Sequence, residues 1–304
     1  MMIRAESALT FIDAQDRQQW VEIGMALRDE HGDAAFEIFD KWSATANNYD
    51  PLAAKSAWKS FKRGGGIGIG TLFHIAKLAG WRPDAAYVPP TPEQLSEQKR
   101  QREIRESAEG KRIQAAQAVA ARKAKWILGQ CELDIHAYTG SKGFPDARVN
   151  VWRHKDSPPL LVVPMRYRNE IAGCQLIDVA GSKRFLSGQR SEEACFTIGQ
   201  GGENYLVEGF ATALSLHAIL NTFRKQHTIL ATFSAGNMAR IATIIPNAIC
   251  ICDHDQSQTG EKVGRESGRR WWMPPEVGMD VNDLHREMGL FRAAQVVKKG
   301  LMAL

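Results

Sequence analysis

The chain has 304 residues, which is enough for one large domain or two ordinary ones. Its composition, 44% hydrophobic and 24% charged, is that of a globular protein, and its five cysteines form no Cys-x-x-Cys pair, which argues against a zinc ribbon and a disulfide framework. The net charge of +5 permits a phosphate-rich partner, and the lack of a membrane-length apolar stretch or a signal peptide predicts a cytoplasmic protein without membrane contact.

Residues 1–84 are predicted to form a separate N-terminal all-α bundle. The pattern consists of short amphipathic segments with tryptophans at positions 20, 42, 58 and 81. Gly32 and Gly80 are placed to end two of the helices, and Pro51 occupies the favoured first position of another. The predicted N-caps are Asp13 (with Asp16 three residues on), Asp33, Asp50 and Thr71.

A glycine-rich stretch, RGGGIGIG, lies between the last two of these helices. It lacks the Gly-Lys-Ser/Thr signature of a phosphate-binding P-loop, so a flexible connection is the favoured interpretation. Lys62 and Arg63 at its start are nevertheless candidates for contact with a nucleic-acid backbone.

Residues 85–130 are predicted to form a linker followed by a polar helix. The segment PDAAYVPPTP breaks the helical pattern with its prolines, and an alanine-rich, charged stretch follows up to Gln130. A solvated helix is favoured over a basic arm on DNA for this stretch.

Residues 131–202 have a strand pattern, and residues 203–304 alternate strands with helices. LLVVPMRY, IAGCQLIDV and KRFLSG are strands separated by turn residues. Further on, the strands NYLVE, HTILATF and NAICIC alternate with the helices GFATALSLHAIL, MARIATII and EKVGRESGRRWW, and WWMPP has strand character. This order predicts an α/β fold whose parallel sheet is covered on both faces.

Acidic residues follow the predicted strands of the parallel sheet. Working residues of such sheets collect at the carboxyl ends of the strands. Carboxylates gathered at that edge would repel one another unless cations neutralised them, and oxygen ligands favour Mg²⁺ or Mn²⁺. The five candidate metal ligands are Glu208, Asp253, Asp255, Asp280 and Asp283.

The ordered segments YLVEGFATALSLH, TFSAGN, ICICDHD and DVNDLH resemble the Toprim domain over about residues 203–290, most of all the Toprim domains of phage and plasmid primases. The resemblance implies a Toprim-type Rossmann-like core at 203–304 with a strand-rich lead-in subdomain at 131–202. Asp280 would be a further acidic ligand, and Asp283 is the candidate substitute where many bacterial primases carry an aspartate and this chain has Asn282. The implied catalytic metal ligands are Glu208, Asp253 and Asp255.

Two further segments extend the resemblance towards the N-terminus. HAYTGSKGF is similar to the His-Pro-Tyr-Leu-x-x-Lys-Gly element of these primases, and VVPMRYRNEIAGCQLIDVAGSKRFLSG to the strands that precede their Toprim domain. WVEIGMALRDEHGDAAFEIFDKWSA and SAWKSFKRGGGIGIGTLFHIAKLAGW resemble the helical type-2 primase C-terminal domain. The implied candidates for nucleotide or template contact are Lys142, Arg166, Lys183 and Arg184, with surface cations on hairpins as the alternative for each.

These resemblances imply a DNA-directed RNA primase-like nucleotidyltransferase of phage or mobile-element type, acting on a single-stranded DNA template with nucleoside triphosphates. The chain contains no Walker motif, so a separate replicative helicase is the expected partner. Two alternatives stay open: a Toprim nuclease that uses the same carboxylates, and a non-catalytic replication protein that binds single-stranded DNA.

Overall fold

The computed structural model describes residues 2–61, 64, 66–82, 91–154 and 157–304, and only the backbone of Gln98. The chain forms two compact units, residues 1–98 and 99–304. Lys62, Arg63 and most of the predicted linker lie outside the described residues.

The first unit is a helical bundle built around aromatic side chains. Phe39 is fully buried. The ring centres of Trp20, Trp58 and Phe61 lie 4.9, 5.1 and 5.8 Å from the centre of the Phe39 ring. The helices are α1 (Met2–Leu9), α2 (Arg17–His31), α3 (Phe36–Ser43), α4 (Pro51–Ser60) and α5 (Ile69–Leu78), with a 3₁₀ turn at Gly32–Ala35. The all-α prediction for this region is confirmed, although α1 lies in a segment where the sequence predicts no helix.

The helix starts in the bundle agree with the prediction in one case and differ in the others. Asp50 accepts hydrogen bonds from the first backbone N–H groups of α4, and Pro51 is the first helical residue, as predicted. The N-cap of α2 is Asp16, which accepts from Gln19 N at 2.8 Å. Asp13 instead accepts from Gln15 N at 2.9 Å in a turn before the helix, so its predicted capping role is wrong.

Asp33 and Thr71 are not caps either. Asp33 lies in the 3₁₀ turn, and α3 starts at Phe36 without a side-chain cap because the tighter turn already leads the chain into the helix. Thr71 lies inside the first turn of α5, which starts after Gly68. Local sequence therefore locates these helices but not their first residues.

The long polar helix α6 (Pro92–Gly129) agrees with the prediction over most of its length. Its last third differs, because Ala120, Ala124 and Ile127 are buried against the first sheet of the second unit. Their spacing of four and three residues places them on one helical face. Within the described ranges, no helix combines the length and apolarity that crossing a bilayer requires.

The first sheet of the second unit is antiparallel throughout, with the order β1-β2-β3-β4-β5. Arg168 and Asn169, at φ 48° and 67°, form the tight turn between β3 and β4, where the sequence predicts a hairpin. The strands are β1 (Glu132–Asp134), β2 (Val149–Trp152), β3 (Leu160–Tyr167), β4 (Glu170–Ile177) and β5 (Lys183–Phe185), with α7 (Ala137–Ser141) between β1 and β2.

The second sheet has the order β10-β9-β7-β8-β6 and is parallel except for its edge strand β6. β6 is antiparallel to β8, so this strand of the predicted lead-in segment belongs to the second sheet. The predicted helix EKVGRESGRRWW ends early, because Arg270–Trp272 pairs with β9 as a strand. The strands are β6 (Phe196–Gly199), β7 (Glu203–Val207), β8 (His227–Ala231), β9 (Ile249–Ile251) and β10 (Arg270–Trp272).

Helices cover both faces of this sheet, as the alternating pattern predicts. Tyr205 and Ile249 point to the face covered by α8 and α11, whereas Leu206 and Cys250 point to the face covered by α9 and α10. These helices are α8 (Phe210–Thr222), α9 (Ala235–Ile244), α10 (Thr259–Glu266) and α11 (Val281–Met302), the last with a break at Gly289. The chain is thus a mixed α/β protein with an N-terminal helical region.

Candidate active site at the carboxyl edge of the parallel sheet

Glu208 and Asp253 follow neighbouring strands and so reach the same edge of the sheet. β7 and β9 are parallel and pair Val207 with Ile251, the residues that end each strand. Asp253 and Asp255 are held there by the segment after β10, because His254 N donates to Met279 O at 3.0 Å and the His254 ring bonds Pro274 O at 2.8 Å. Position 260 in α10 requires a glycine, because a Cβ there would lie 2.1 Å from the backbone oxygen of Asp253.

Asp253 is the most perturbed carboxylate of the edge. Burial first, and then the charges of Asp280, Glu208 and Asp255, raise its pKa to about 7. Its Oδ1 is buried and has no hydrogen-bond partner among the described residues. A carboxylate oxygen in that state is available to a ligand, because no described group donates a hydrogen bond to it.

Glu208 shares this environment. Burial raises its pKa, followed by the charges of Asp255 and Asp280, while the Lys183 ammonium lowers it. Lys183 also lowers the pKa of Asp253. The charges of Asp255 and Asp280 thus raise the pKa of both Glu208 and Asp253, and the Lys183 ammonium lowers the pKa of both.

The remaining carboxylates also have structural hydrogen bonds. Asp255 Oδ1 accepts from Ser257 Oγ at 2.8 Å and from Thr259 N at 3.1 Å, which shapes the turn before α10. Asp280 is the N-cap of α11 and forms a capping box with Asp283, whose Oδ2 accepts from Asp280 N at 3.1 Å. Asp283 thus acts as a helix cap and does not appear among the charges that raise the pKa of Asp253 or Glu208.

The donor set fits a hard divalent cation in its chemistry. It consists of carboxylate oxygens at a strand edge, and one of them, Asp253 Oδ1, is buried and free. Within the described part of the chain, no three His, Cys, Asp or Glu side chains are grouped closely enough to hold one ion together. An ion at this edge would therefore take one or two carboxylate ligands from the protein and the rest from waters or phosphates.

The structure separates the two basic residues predicted next to each other in β5. Lys183 pairs with Ile177, whose side chain packs with Phe210 at the start of α8, and so lies on the face of the first sheet nearest Glu208. Arg184 pairs with Leu176, which packs on the face covered by α6. Because neighbouring residues of a strand point to opposite faces, only Lys183 reaches the carboxylates.

The other predicted basic residues have local partners. Lys142 ends α7 and places its Nζ 6.0 Å from the centre of the Tyr138 ring. Arg166 Nη1 donates to Asn169 O at 2.8 Å, within its own hairpin, next to a bulge between Met165 and Arg166. The structure therefore brings Lys183 to the carboxylates and leaves Arg166 and Arg184 elsewhere on the first sheet.

Asn282 is a site residue whose role the sequence does not reveal. It is fully buried, and its Nδ2 donates to Lys142 O at 2.8 Å and to Ser215 Oγ at 3.0 Å. Asn282 thereby ties the start of α11 to α7 and α8. The only signal in the sequence is its place between Val281 and Leu284, which are both buried.

A cleft of about 410 Å³ opens beside this edge. Phe185 and Phe233 line it with their rings 6.1 Å apart, and Phe233 N donates to Glu208 O at 2.8 Å, so the cleft adjoins the acidic edge. Arg240 and Asn237 of α9 line its other side. Nothing in the local sequence pattern singles out this aromatic pair.

Comparison with known proteins relates the helical bundle to primases. Residues 5–76, about a quarter of the 304 residues, match the family model Primase C terminal 2 (PriCT-2). The predicted resemblance of the bundle to this domain is confirmed. No curated protein sequence matches the chain.

Two solved structures that contain primase domains are similar to the chain. One match is a chain from a bacteriophage T7 structure, in which the lagging-strand DNA polymerase interacts with primase domains of two gp4 subunits bound to an RNA/DNA hybrid and dTTP. It has 13% sequence identity and a TM-score of 0.40, and the match covers 56% of this chain and 91% of that chain. A DNA primase domain from Pseudomonas aeruginosa has 18% identity and a TM-score of 0.32, and the match covers 57% of each chain. The chain therefore spans little more than half of the Pseudomonas domain.

Proposed function

We propose that the chain is a DNA-directed RNA primase-like nucleotidyltransferase of phage or mobile-element type, with a Toprim-type core whose active site is the carboxyl edge of the parallel sheet. The observation that carries the proposal is the gathering of four carboxylates at that edge: the charges of Asp255 and Asp280 raise the pKa of both Glu208 and Asp253, and Lys183 lowers it. The primase-associated family match of residues 5–76 supports the same class of protein.

The carboxylates of the edge would hold Mg²⁺ or Mn²⁺, with Asp253 and Glu208 as the first ligands and Asp255 and Asp280 beside them. When bound, such an ion neutralises the carboxylates and stabilises charge on phosphoryl oxygens during nucleotidyl transfer. Asp253 is best prepared for this role, because its buried Oδ1 has no partner to give up. Asp283 would act through the capping box that holds Asp280 in place.

The groups around the carboxylates would bind the nucleoside triphosphate and the template. Lys183 is placed to pair with a phosphate that approaches Glu208 and Asp253, since it already lowers the pKa of both. The cleft lined by Phe185 and Phe233 offers aromatic faces next to that position, on which a base can stack. Unwinding would be left to a separate replicative helicase in the same cytoplasmic setting.

Two other functions would use the same edge. A metal-dependent nuclease would employ the carboxylates to activate water against a phosphodiester, and a non-catalytic replication protein would bind single-stranded DNA only. The buried, unpartnered Asp253 favours an enzyme over a binder, because a pure binding surface has no use for a carboxylate whose charge is so costly to bury.

Primer synthesis on a single-stranded template with labelled nucleotides tests the proposal. Asp253→Asn should lower synthesis by about a hundredfold or more, because it removes a charged ligand. Asp146→Asn is the matched control, since Asp146 is exposed and lies outside the edge. A shortened template would indicate the nuclease, and a retarded template without product would indicate the binder.

A second measurement does not depend on activity. Mg²⁺ or Mn²⁺ should raise the melting temperature of the wild type and of Asp146→Asn but not of Asp253→Asn, since an ion that binds only the folded state stabilises it. Equal shifts in all three proteins would contradict the assignment of the metal site.

A further inference from the structure

A group of aromatic side chains, of which Trp152 is half-buried and Trp126 and His154 are exposed, lies on the first sheet of the second unit. The ring of Trp126 in α6 meets the ring of Trp152 in β2 edge-on at 6.0 Å, and Trp152 lies 5.2 Å from the ring of His154. Trp126 is 55% exposed, although an indole is usually buried or covered. Trp126, Trp152 and His154 are called the aromatic ledge below.

The helical period explains why Trp126 emerges where it does. Ala120, Ala124 and Ile127 bury one face of α6 against the antiparallel sheet. Trp126 precedes Ile127 by one residue, about 100° around the helix, and comes out on the side of β2. Lys125 comes out on the opposite flank, where its Nζ contacts Glu170 of β4 at 3.0 Å.

The flank that carries Trp126 is basic. The segment 111–129 contains five Lys and Arg residues and no Asp or Glu. Arg122 lies one turn before Trp126 on the same flank and Lys123 lies between Trp126 and the buried face, by the helical period. Both are exposed, and neither has an ion-pair partner among the described residues.

Acidic side chains near the ledge point away from it. Leu133 of β1 pairs with Asn150 and so lies on the same sheet face as Trp152, where it is 66% exposed. Glu132 and Asp134 point to the other face and are engaged by Arg153, at 3.2 and 2.5 Å. Among the described residues near it, the ledge therefore presents aromatic rings and two cations, and Glu132 and Asp134 lie on the other face.

We propose that the aromatic ledge, with Arg122 and Lys123, binds a stretch of unpaired DNA: bases stack on Trp126 and Trp152 while phosphates contact the two cations. Flat exposed rings next to cations are what a single strand needs, whereas a duplex hides the faces of its bases. The ledge lies on the face of the first sheet covered by α6, and Lys183 and the carboxylates lie on the side of the opposite face. The proposal goes beyond the proposed function, since a chain that made no primers would still carry this second strand contact.

Binding of a labelled oligo-dT by the whole chain, followed by fluorescence anisotropy, tests the ledge. Trp126→Ala should weaken binding about tenfold, and Trp126→Phe should restore most of it, because a phenyl ring still stacks. Arg122→Ala should weaken binding and reduce the slope of log affinity against log salt concentration by about one. Lys125→Ala, three residues away on the other flank, should change neither the affinity nor the slope. Trp126→Ala should weaken binding by the same factor in an Asp253→Asn background as in the wild type, which separates the ledge from the active-site proposal.

Crosslinking identifies the place of contact independently. An oligonucleotide with 5-iodouracil should crosslink to the peptide that contains Trp126, and a blunt duplex of the same sequence should not compete for it. Wild-type affinity in Trp126→Ala, or equal effects of Arg122→Ala and Lys125→Ala, would overturn the proposal. The same holds if all variants bind the oligonucleotide alike, as they would if the ledge served a protein partner. If Trp126→Ala has a lower melting temperature than the wild type, its weaker binding could come from unfolding. The proposal is then tested by the two cation variants alone, of which only Arg122→Ala should weaken binding.

Discussion

Buried polar atoms have partners in the helical bundle and lack them at the carboxyl edge of the parallel sheet. In the bundle, each tryptophan N–H donates to an oxygen, and His31 Nε2 is the one buried side-chain atom without a partner among those described. The acceptors are Ser43 Oγ for Trp20 (2.7 Å), Ile12 O for Trp42 (2.9 Å), Asp33 Oδ1 for Trp58 (3.2 Å) and Ser7 Oγ for Trp81 (3.1 Å).

At the edge of the sheet three such atoms occur together: Asp253 Oδ1, Asn282 Oδ1 and Tyr138 Oη. Burial and the charge of Asp280 raise the pKa of Tyr138 to about 12, so its hydroxyl stays protonated. Leaving a buried polar atom without a partner costs about 1–3 kcal/mol. A partner from outside the fold, either a ligand or an ordered water, is what would satisfy this second set of atoms, whereas the tryptophan N–H groups of the bundle already have acceptors.

The largest expected effect comes from removing a central aromatic side chain of the bundle core. Phe39→Ala should destabilise the bundle by about 4 kcal/mol, because a fully buried ring that contacts Trp20 and Trp58 leaves a cavity. Hydrogen exchange of bundle peptides, measured in the whole chain, should show the loss of protection. Phe11→Ala is the control, since Phe11 is 48% exposed and should cost far less. Equal loss of protection in both variants would contradict the packing argument.

The second effect concerns the dependence of stability on pH at the carboxyl edge. The pKa of Asp253 is raised to about 7 in the folded chain, so the folded state holds a proton that the unfolded state releases near pH 4. Stability from this group is therefore complete below about pH 4 and is lost as the pH rises to about 7, by up to about 4 kcal/mol.

Urea unfolding in the presence of a chelator, at pH 5 and at pH 8, measures this loss. The wild type and Asp146→Asn should lose more stability between the two pH values than Asp253→Asn, whose amide does not ionise. If Asp253→Asn loses as much stability as the wild type, Asp253 does not hold the proton.

A smaller effect tests Asn282 as the tie between α11 and the helices it contacts. Asn282→Asp should destabilise the second unit by about 2 kcal/mol, because a carboxylate cannot donate to Lys142 O and its charge would be buried. Asn47→Asp, at an exposed position, should change stability by less than about 0.5 kcal/mol. Thermal or urea unfolding gives both values. A neutral Asn282→Asp would instead mean that the site already holds a cation or a water that accepts the new charge.

The next comparison separates the two neighbouring cations of β5. Lys183→Ala should raise the nucleotide requirement of synthesis about tenfold, since Lys183 acts on the carboxylates from close range, with the melting temperature nearly unchanged. Arg184→Ala should have little effect, because its side chain points to the other face of the sheet. Nucleotide titrations of primer synthesis measure the difference. Similar losses in both variants would mean that charge near the edge matters more than placement.

The sequence predicts the order of elements in the second unit well because strands that are buried on both faces are short, continuous apolar runs between helical segments. Tyr205 and Leu206, for example, point to opposite helical layers, and both are fully buried. Glu208 and Asp253 then fall just after the ends of β7 and β9, whereas Asp280 and Asp283 begin α11. The antiparallel strand β6 and the short β10 are harder to predict, since three or four residues carry almost no periodic signal.

The parts of the site that the sequence does not predict depend on contacts between distant residues. Asn282 bonds Lys142 O across 140 positions, and no local pattern encodes that distance. The split between Lys183 and Arg184 follows from the register of β4 with β5, which is fixed by the hairpin and the core beneath it. Sequence gives the residue types of the edge, and tertiary packing decides which of them meet.

The smallest expected effect returns to the bundle, where two aspartates compete for one helix start. Asp16 accepts from Gln19 N at the N-cap of α2, while Asp13 accepts from Gln15 N in the preceding turn. Asp16→Ala should destabilise the bundle by about 1 kcal/mol, because an N-cap side chain satisfies a helix N–H that otherwise has no partner. Asp13→Ala should cost less than about 0.5 kcal/mol, since its loss affects only an exposed turn. Urea unfolding of both variants, followed by tryptophan fluorescence, measures the difference because Trp20 lies in α2. A larger loss for Asp13→Ala would show that the turn before α2, and not its N-cap, determines where the helix starts.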